Sequence, residues 1–112
     1  MIRVKWDVEE LVALIAIYLS SENKSYDEIK AELETLSKIL RRRADLLDIR
    51  HDEKFRNISG MTMMYENVVY IFTHGQQGMS SVSKAMRQVA EMSEKCPDVF
   101  NLILSEFYRK YR

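Results

Sequence analysis

The sequence predicts an all-α fold: a single compact domain of about five helices, preceded by a short segment that is either a brief strand or an arm. Three observations carry this reading. Only three glycines and one proline punctuate 112 residues, too few for a turn-rich sheet fold. Apolar residues recur three and four positions apart in each long segment, which puts them on one face of a helix. Helix-start signatures stand ahead of several of those segments. With 46% hydrophobic residues the chain has enough apolar surface for one core.

Met1 to Trp6 alternates, Ile2, Val4 and Trp6 against Arg3 and Lys5, hence the strand or arm. Asp7 is placed to cap the first helix, with Glu9 and Glu10 in its first turn. Val8, Leu11, Val12, Ile15 and Leu19 form the main stripe, and Leu14, Ile17 and Tyr18 widen it almost all round, the pattern of a central helix. Ser25-Tyr26-Asp27-Glu28 is a capping box for the second helix. There Ile29, Leu33, Leu36 and Leu40 face inward, while Lys30, Glu32, Glu34 and Lys38 face water. That helix is expected to end in Arg41-Arg42-Arg43, where cations suit the dipole. Residues 44–54 read as an extended connection crossing the domain.

The third helix carries Met61, Met64, Tyr65, Val68 and Phe72 on one face and runs to about Thr73, with Ser59 as the expected N-cap. Gly60 fits a place where a side chain would crowd a neighbour or a ligand. His74-Gly75-Gln76-Gln77-Gly78 breaks the chain, with a C-cap glycine. Ser80 or Ser81 is then expected to cap the fourth helix, whose apolar face is Met79, Val82, Met86, Val89 and Ala90; Met64 and Met86 are assigned to the core. Cys96, expected to be partly buried, precedes Pro97 at a first helical position. The last helix turns Phe100, Ile103, Leu104, Phe107 and Tyr111 inward.

Lys+Arg and Asp+Glu number 17 each, so any polyanion-binding patch must be local. The lone Cys96 forbids an internal disulfide and makes a cytoplasmic location the default. Leu11 to Leu19 is too short to span a bilayer, no signal peptide is visible, and no membrane partner is expected. His51 and His74 have no metal-ligand or nucleophile spacing and no phosphate-cradling loop exists, so no enzyme activity, metal or cofactor is expected of this chain. The densest basic stretch is Arg50, Lys54 and Arg56, with Arg41, Arg42 and Arg43 upstream, diluted by Asp45, Asp48, Asp52 and Glu53. Lys54 and Arg56 oppose the dipole at the start of the third helix, a placement that makes sense beside a bound anion. The competing reading is a solvated loop entering a core helix. Two functions follow: DNA binding, with Asn57, Ser59, Gln76 or Gln77 at sugars and base edges, or a protein-interaction or immunity-like module that binds a partner through a Met- and Tyr-bearing helical face. No helix-turn-helix spacing is evident.

Trp6-Asp7-Val8-Glu9-Glu10-Leu11 running to Tyr18-Leu19, then Glu32, Leu33, Leu36, Ser37 and Leu40, then Phe55-Arg56-Asn57 with Gly60, Met63 and Asn67, then a Gly- and Ser-containing loop from Gly75 to Ser83 and Phe100-Asn101-Leu102-Ile103 occur in an order that resembles the small helical domain at the N-terminus of bacterial HNH-type restriction endonucleases. The likeness covers most of the chain. Ile58 and Ser59 replace a usual proline and asparagine, and Val68 a common aromatic. The resemblance implies a non-catalytic recognition module of a nuclease system that defends against foreign DNA. Double-stranded DNA would be its partner, with Arg56, Asn57 and Asn67 as the contacts carried over and the HNH nuclease domain elsewhere. Residues 1–112 would then be one domain, complete or a module of a longer nuclease. Asn67 has a second reading, as a structural residue bonding the backbone of the connection.

Overall fold

Asp7 opens the first helix as its position requires. In the computed structural model, which describes residues 3–112, the Asp7 carboxylate accepts the Glu10 N–H at 3.0 Å and Glu10 Oε1 accepts the Asp7 N–H at 3.1 Å. The first two residues of the expected strand or arm lie outside the described residues; Arg3 to Asp7 have no regular structure. α1 (Val8–Leu19) follows, and every side chain from Leu11 to Ile15 is fully buried. It touches all the other helices, so the all-round apolar pattern does mark the centre of the molecule.

α2 (Tyr26–Leu46) starts at the reciprocal Ser25–Glu28 cap, with bonds of 3.1 and 3.2 Å. It does not stop at the arginine run. Ala44 is fully buried and draws the helix on to Leu46, so the connection is shorter than the composition of residues 44–54 suggests. α3 (Ile58–Phe72) is capped by Asn57, not Ser59: Asn57 Oδ1 accepts the Gly60 N–H at 2.9 Å. A Cβ on Gly60 would sit 3.1 Å from that same oxygen, so the neighbour to be crowded is the cap itself.

α3 closes with the Gly75 N–H on the Tyr70 carbonyl (2.9 Å) and the His74 N–H on the Ile71 carbonyl (3.2 Å). The left-handed residue of this Schellman motif is His74, at φ 52°, where a glycine was expected. α4 (Lys84–Lys95) is capped by Ser83, whose Oγ accepts the Met86 N–H at 3.1 Å; Ser80 and Ser81 stay in the loop. α5 (Pro97–Tyr111) begins at Pro97 as predicted, but Cys96 ahead of it is exposed.

The described residues therefore form a five-helix globule of 36 × 28 × 27 Å wrapped around α1. Leu14, Leu36, Leu40, Met61, Met86 and Phe107 fill its centre. Met64, expected there, is only half-buried at the edge of α3, and Met79 is exposed. No helix among the described residues is long and apolar enough to cross a membrane.

A charge cluster ties three helices at one end. Arg43, in a run that reads as a wet helix end, is buried and pairs with Asp7 and Glu9, both at 2.9 Å, while Lys110 of α5 reaches Glu9 at 2.8 Å. Burial by itself would raise the Glu9 carboxyl. The hydrogen bonds and charges of Lys110 and Arg43 outweigh it and hold Glu9 below its ordinary 4.5. A depressed carboxyl stabilises the fold above its unfolded value and loses that contribution as pH falls through the folded one. Glu9→Gln is therefore expected to melt below wild type at neutral pH, with the gap closing below about pH 4.5 in a Tm-against-pH series.

Candidate functional site

Gly60, Met63, Met64 and Asn67 recur at intervals of three, four and seven, so they share one face of α3. Among the described residues no other helix lines that face. It floors an open groove of about 990 Å³ whose lining is completed by Arg3, Val4 and Trp6 of the N-terminal segment, by the connection from Asp52 to Asn57, and by Ser81 of the α3–α4 loop.

Arg56 lies at the base of this groove and is spent on the fold. It is 9% exposed, and its Nε and Nη2 hold the Glu10 carboxylate bidentately at 2.7 and 2.9 Å. Nη1 donates to the Val4 carbonyl and Nη2 to that of Lys5, both at 3.2 Å. The guanidinium also stands 4.5 Å from the Trp6 ring centre and 4.3 Å from that of Phe55. Ser37 Oγ bonds the Arg56 carbonyl, which fixes the backbone at φ 50°. The anion that the sequence calls for beside Arg56 is thus the protein's own Glu10, and Arg56 is corrected from a DNA contact to a structural clamp between the N-terminal segment, α1 and α3.

The other predicted contacts divide. Lys54 and Ser59 are exposed on the lining, and Asn57 lines it with its oxygen committed to the cap. Arg41 instead bonds the carbonyls of Glu53 (3.2 Å) and Phe55, and Arg42 bonds that of Tyr111. Arg43 is buried in its ion pairs. Arg50 and Gln76 are exposed but line no part of the groove. Arg41 and Arg43 are therefore tied to the fold, and Arg42 touches only the end of α5 from an exposed position, which a count of charges along the chain does not reveal.

Asn67 is 5% exposed. The expected bond to the connection's backbone is not made. Among the described residues its Nδ2 has only the Met64 sulfur, at 3.8 Å, and its buried Oδ1 has no partner. With Arg56 neutralised by Glu10, the formal charges left on the lining are Arg3 and Lys54 against Asp52. Behind the Phe55 wall, His51 stacks on that ring at 4.7 Å, with Nε2 2.8 Å from Asp45 and Nδ1 3.2 Å from the Asp52 carbonyl. Two acceptors suit the doubly protonated ring, so the Asp45 bond first and the Asp52 carbonyl second raise His51 above its ordinary 6.5.

Sequence reasoning missed Trp6, Glu10 and Arg3 as neighbours of this site. Trp6 was visible as part of an alternating segment and Glu10 as an acid in the first turn of α1, where it does complete the Asp7 cap. Among the described residues, no group of three or more His, Cys, Asp or Glu is placed to hold a metal ion. Comparison with family models, with curated proteins and with solved structures returns no match.

Proposed function

We propose that this domain is a non-catalytic DNA-binding module and that the groove on α3 is its contact face. The resemblance to restriction-nuclease N-terminal domains supplies the setting: a targeting module in a defence system whose nuclease lies on another domain or chain. The observation that carries the reading is the unpartnered Asn67 amide at the floor of an open groove lined by Arg3 and Lys54. A buried acceptor without a partner costs about 1–3 kcal/mol, a cost that a ligand N–H would remove. Arg3 and Lys54 suit phosphates, and the first turn of α3 with Ser59 adds donors of the same polarity.

Fluorescence anisotropy on duplex DNA across a salt series tests this. Binding is expected to weaken steeply with salt, and Lys54→Ala and Arg3→Ala are each expected to reduce the slope of log K against log salt by about 0.9, one phosphate contact apiece. Arg42→Ala, off the groove, is expected to change nothing. No binding at low salt, or an equal effect of all three, refutes the reading.

One feature favours a second reading, a module that binds a partner protein. Val99 and Leu102, three residues apart on α5, are 49% and 63% exposed. A partner held there would be released by Leu102→Asp, be insensitive to salt and survive Lys54→Ala.

A further inference from the structure

We infer that the groove receives a single unstacked nucleobase, whose N–H edge bonds Asn67 once the Met64 side chain has moved aside. This rests on the DNA reading and sharpens it.

The dimensions favour one base over a duplex. At about 990 Å³ the groove falls within the range of about 300–1,000 Å³ typical of pockets that enclose small ligands, and a double helix cannot descend into it. Its floor is one face of α3. From Gly60 at the first turn to Asn67 is seven residues, about 10 Å at 1.5 Å per residue, so a group reaching Asn67 must travel down the floor and not merely touch the rim. Gly60 leaves the first part of that path without a side chain. Met63, 52% exposed, and Met64, half-buried, are unbranched side chains that can yield to a flat ring. Trp6 adds an aromatic wall.

The floor's chemistry is that of a hydrogen-bond reader. Asn67 Oδ1 has no donor and Nδ2 has only the weak Met64 sulfur contact. Displacing the Met64 side chain would leave both halves of the amide free, an acceptor beside a donor. Every nucleobase carries an N–H next to an acceptor on its Watson–Crick edge, and in a duplex that edge is occupied by the partner base. A site that reads it therefore requires an unpaired or extruded base, which apolar and aromatic walls then hold.

The test is anisotropy with three labelled duplexes of one sequence: fully paired, with one bulged adenine, and with an abasic bulge at the same place. The bulged adenine is expected to bind about tenfold or more tightly than either other duplex, the scale of one base–aromatic stack with its hydrogen bonds. In Asn67→Leu that preference is expected to collapse while Tm stays level or rises, because a near-isosteric apolar side chain removes the orphaned amide. A purely structural Asn67 would give the opposite pattern, with Tm lowered and preference kept. Trp6 is the only tryptophan, so wild-type intrinsic fluorescence gives a second readout: a change with the bulged adenine and none with the abasic bulge. Equal, salt-sensitive binding of all three duplexes overturns the base-pocket inference and leaves the DNA reading intact. A preference that survives in Asn67→Leu overturns the role of Asn67. No binding of any duplex overturns both.

Discussion

Arg56→Ala is expected to cost about 3–5 kcal/mol, because it strands the Glu10 carboxylate, 2% exposed, without its counter-ion. It also removes hydrogen bonds to the Val4 and Lys5 carbonyls and the cation over Trp6. At about 4 °C per kcal/mol for a domain of this size, the melting temperature should fall by about 12–20 °C, read by circular dichroism. At the lower end of a stability of about 5–15 kcal/mol this leaves almost nothing, so DNA binding by Arg56→Ala is to be read beside its melting curve, since unfolding alone would abolish it. The clamp itself is tested by adding Glu10→Gln to Arg56→Met. Gln keeps an acceptor for the Asp7 N–H while removing the charge, so the double variant is expected to melt above Arg56→Met alone. A double variant that melts at or below Arg56→Met would show that the charge is not what matters there.

Gly78→Ala carries the second large effect, from a cause that is wholly backbone. Gly78 lies at φ 87°, and a Cβ built on it would stand 2.3 Å from the Glu66 carbonyl oxygen and 2.7 Å from the Tyr70 nitrogen. Neither atom belongs to a side chain that can swing away. The left-handed conformation costs a non-glycine residue about 1–2 kcal/mol. Overpacking adds about 1–3 kcal/mol, so about 2–5 kcal/mol is expected from chemical denaturation. The loop would escape by lifting off α3, giving up the Met79 N–H bond to Glu66 at 3.1 Å. Faster hydrogen exchange at Met79 should accompany the loss of stability; a variant with wild-type stability and exchange would contradict this packing.

How much the sequence disclosed depended on the range of each interaction. Asp7, Ser25 with Glu28, and Pro97 were legible because a cap is settled within three or four residues. Where candidates stood close together the pattern could not choose: Asn57 was passed over for Ser59, and Ser83 for Ser80 or Ser81, because the path of the entering chain decides which oxygen meets the N–H. The end of α2 was misread because residues 44–54 look polar, while the buried Ala44 keeps the helix going. Arg56 and Arg43 were the deepest misreadings. A charge reads as wet until its partner is known, and Glu10 lies 46 residues from Arg56 and Glu9 34 from Arg43. Of the groove, the sequence marked Lys54, Asn57, Ser59, Gly60 and Asn67 as a neighbourhood. The orphaned amide that makes the groove a candidate site exists only in the folded chain.

The central claim is that the uncovered face of α3 meets DNA. A ¹H–¹⁵N NMR titration at low salt with duplex DNA carrying one bulged adenine tests it most directly, since it reports backbone amides and the Asn67 side-chain NH₂ in one spectrum. The expected result is a shift pattern concentrated at Lys54, Asn57, Ser59, Gly60 and the Asn67 side chain, reversed by added salt. Shifts centred on Val99 and Leu102, or none at saturating DNA, would contradict it.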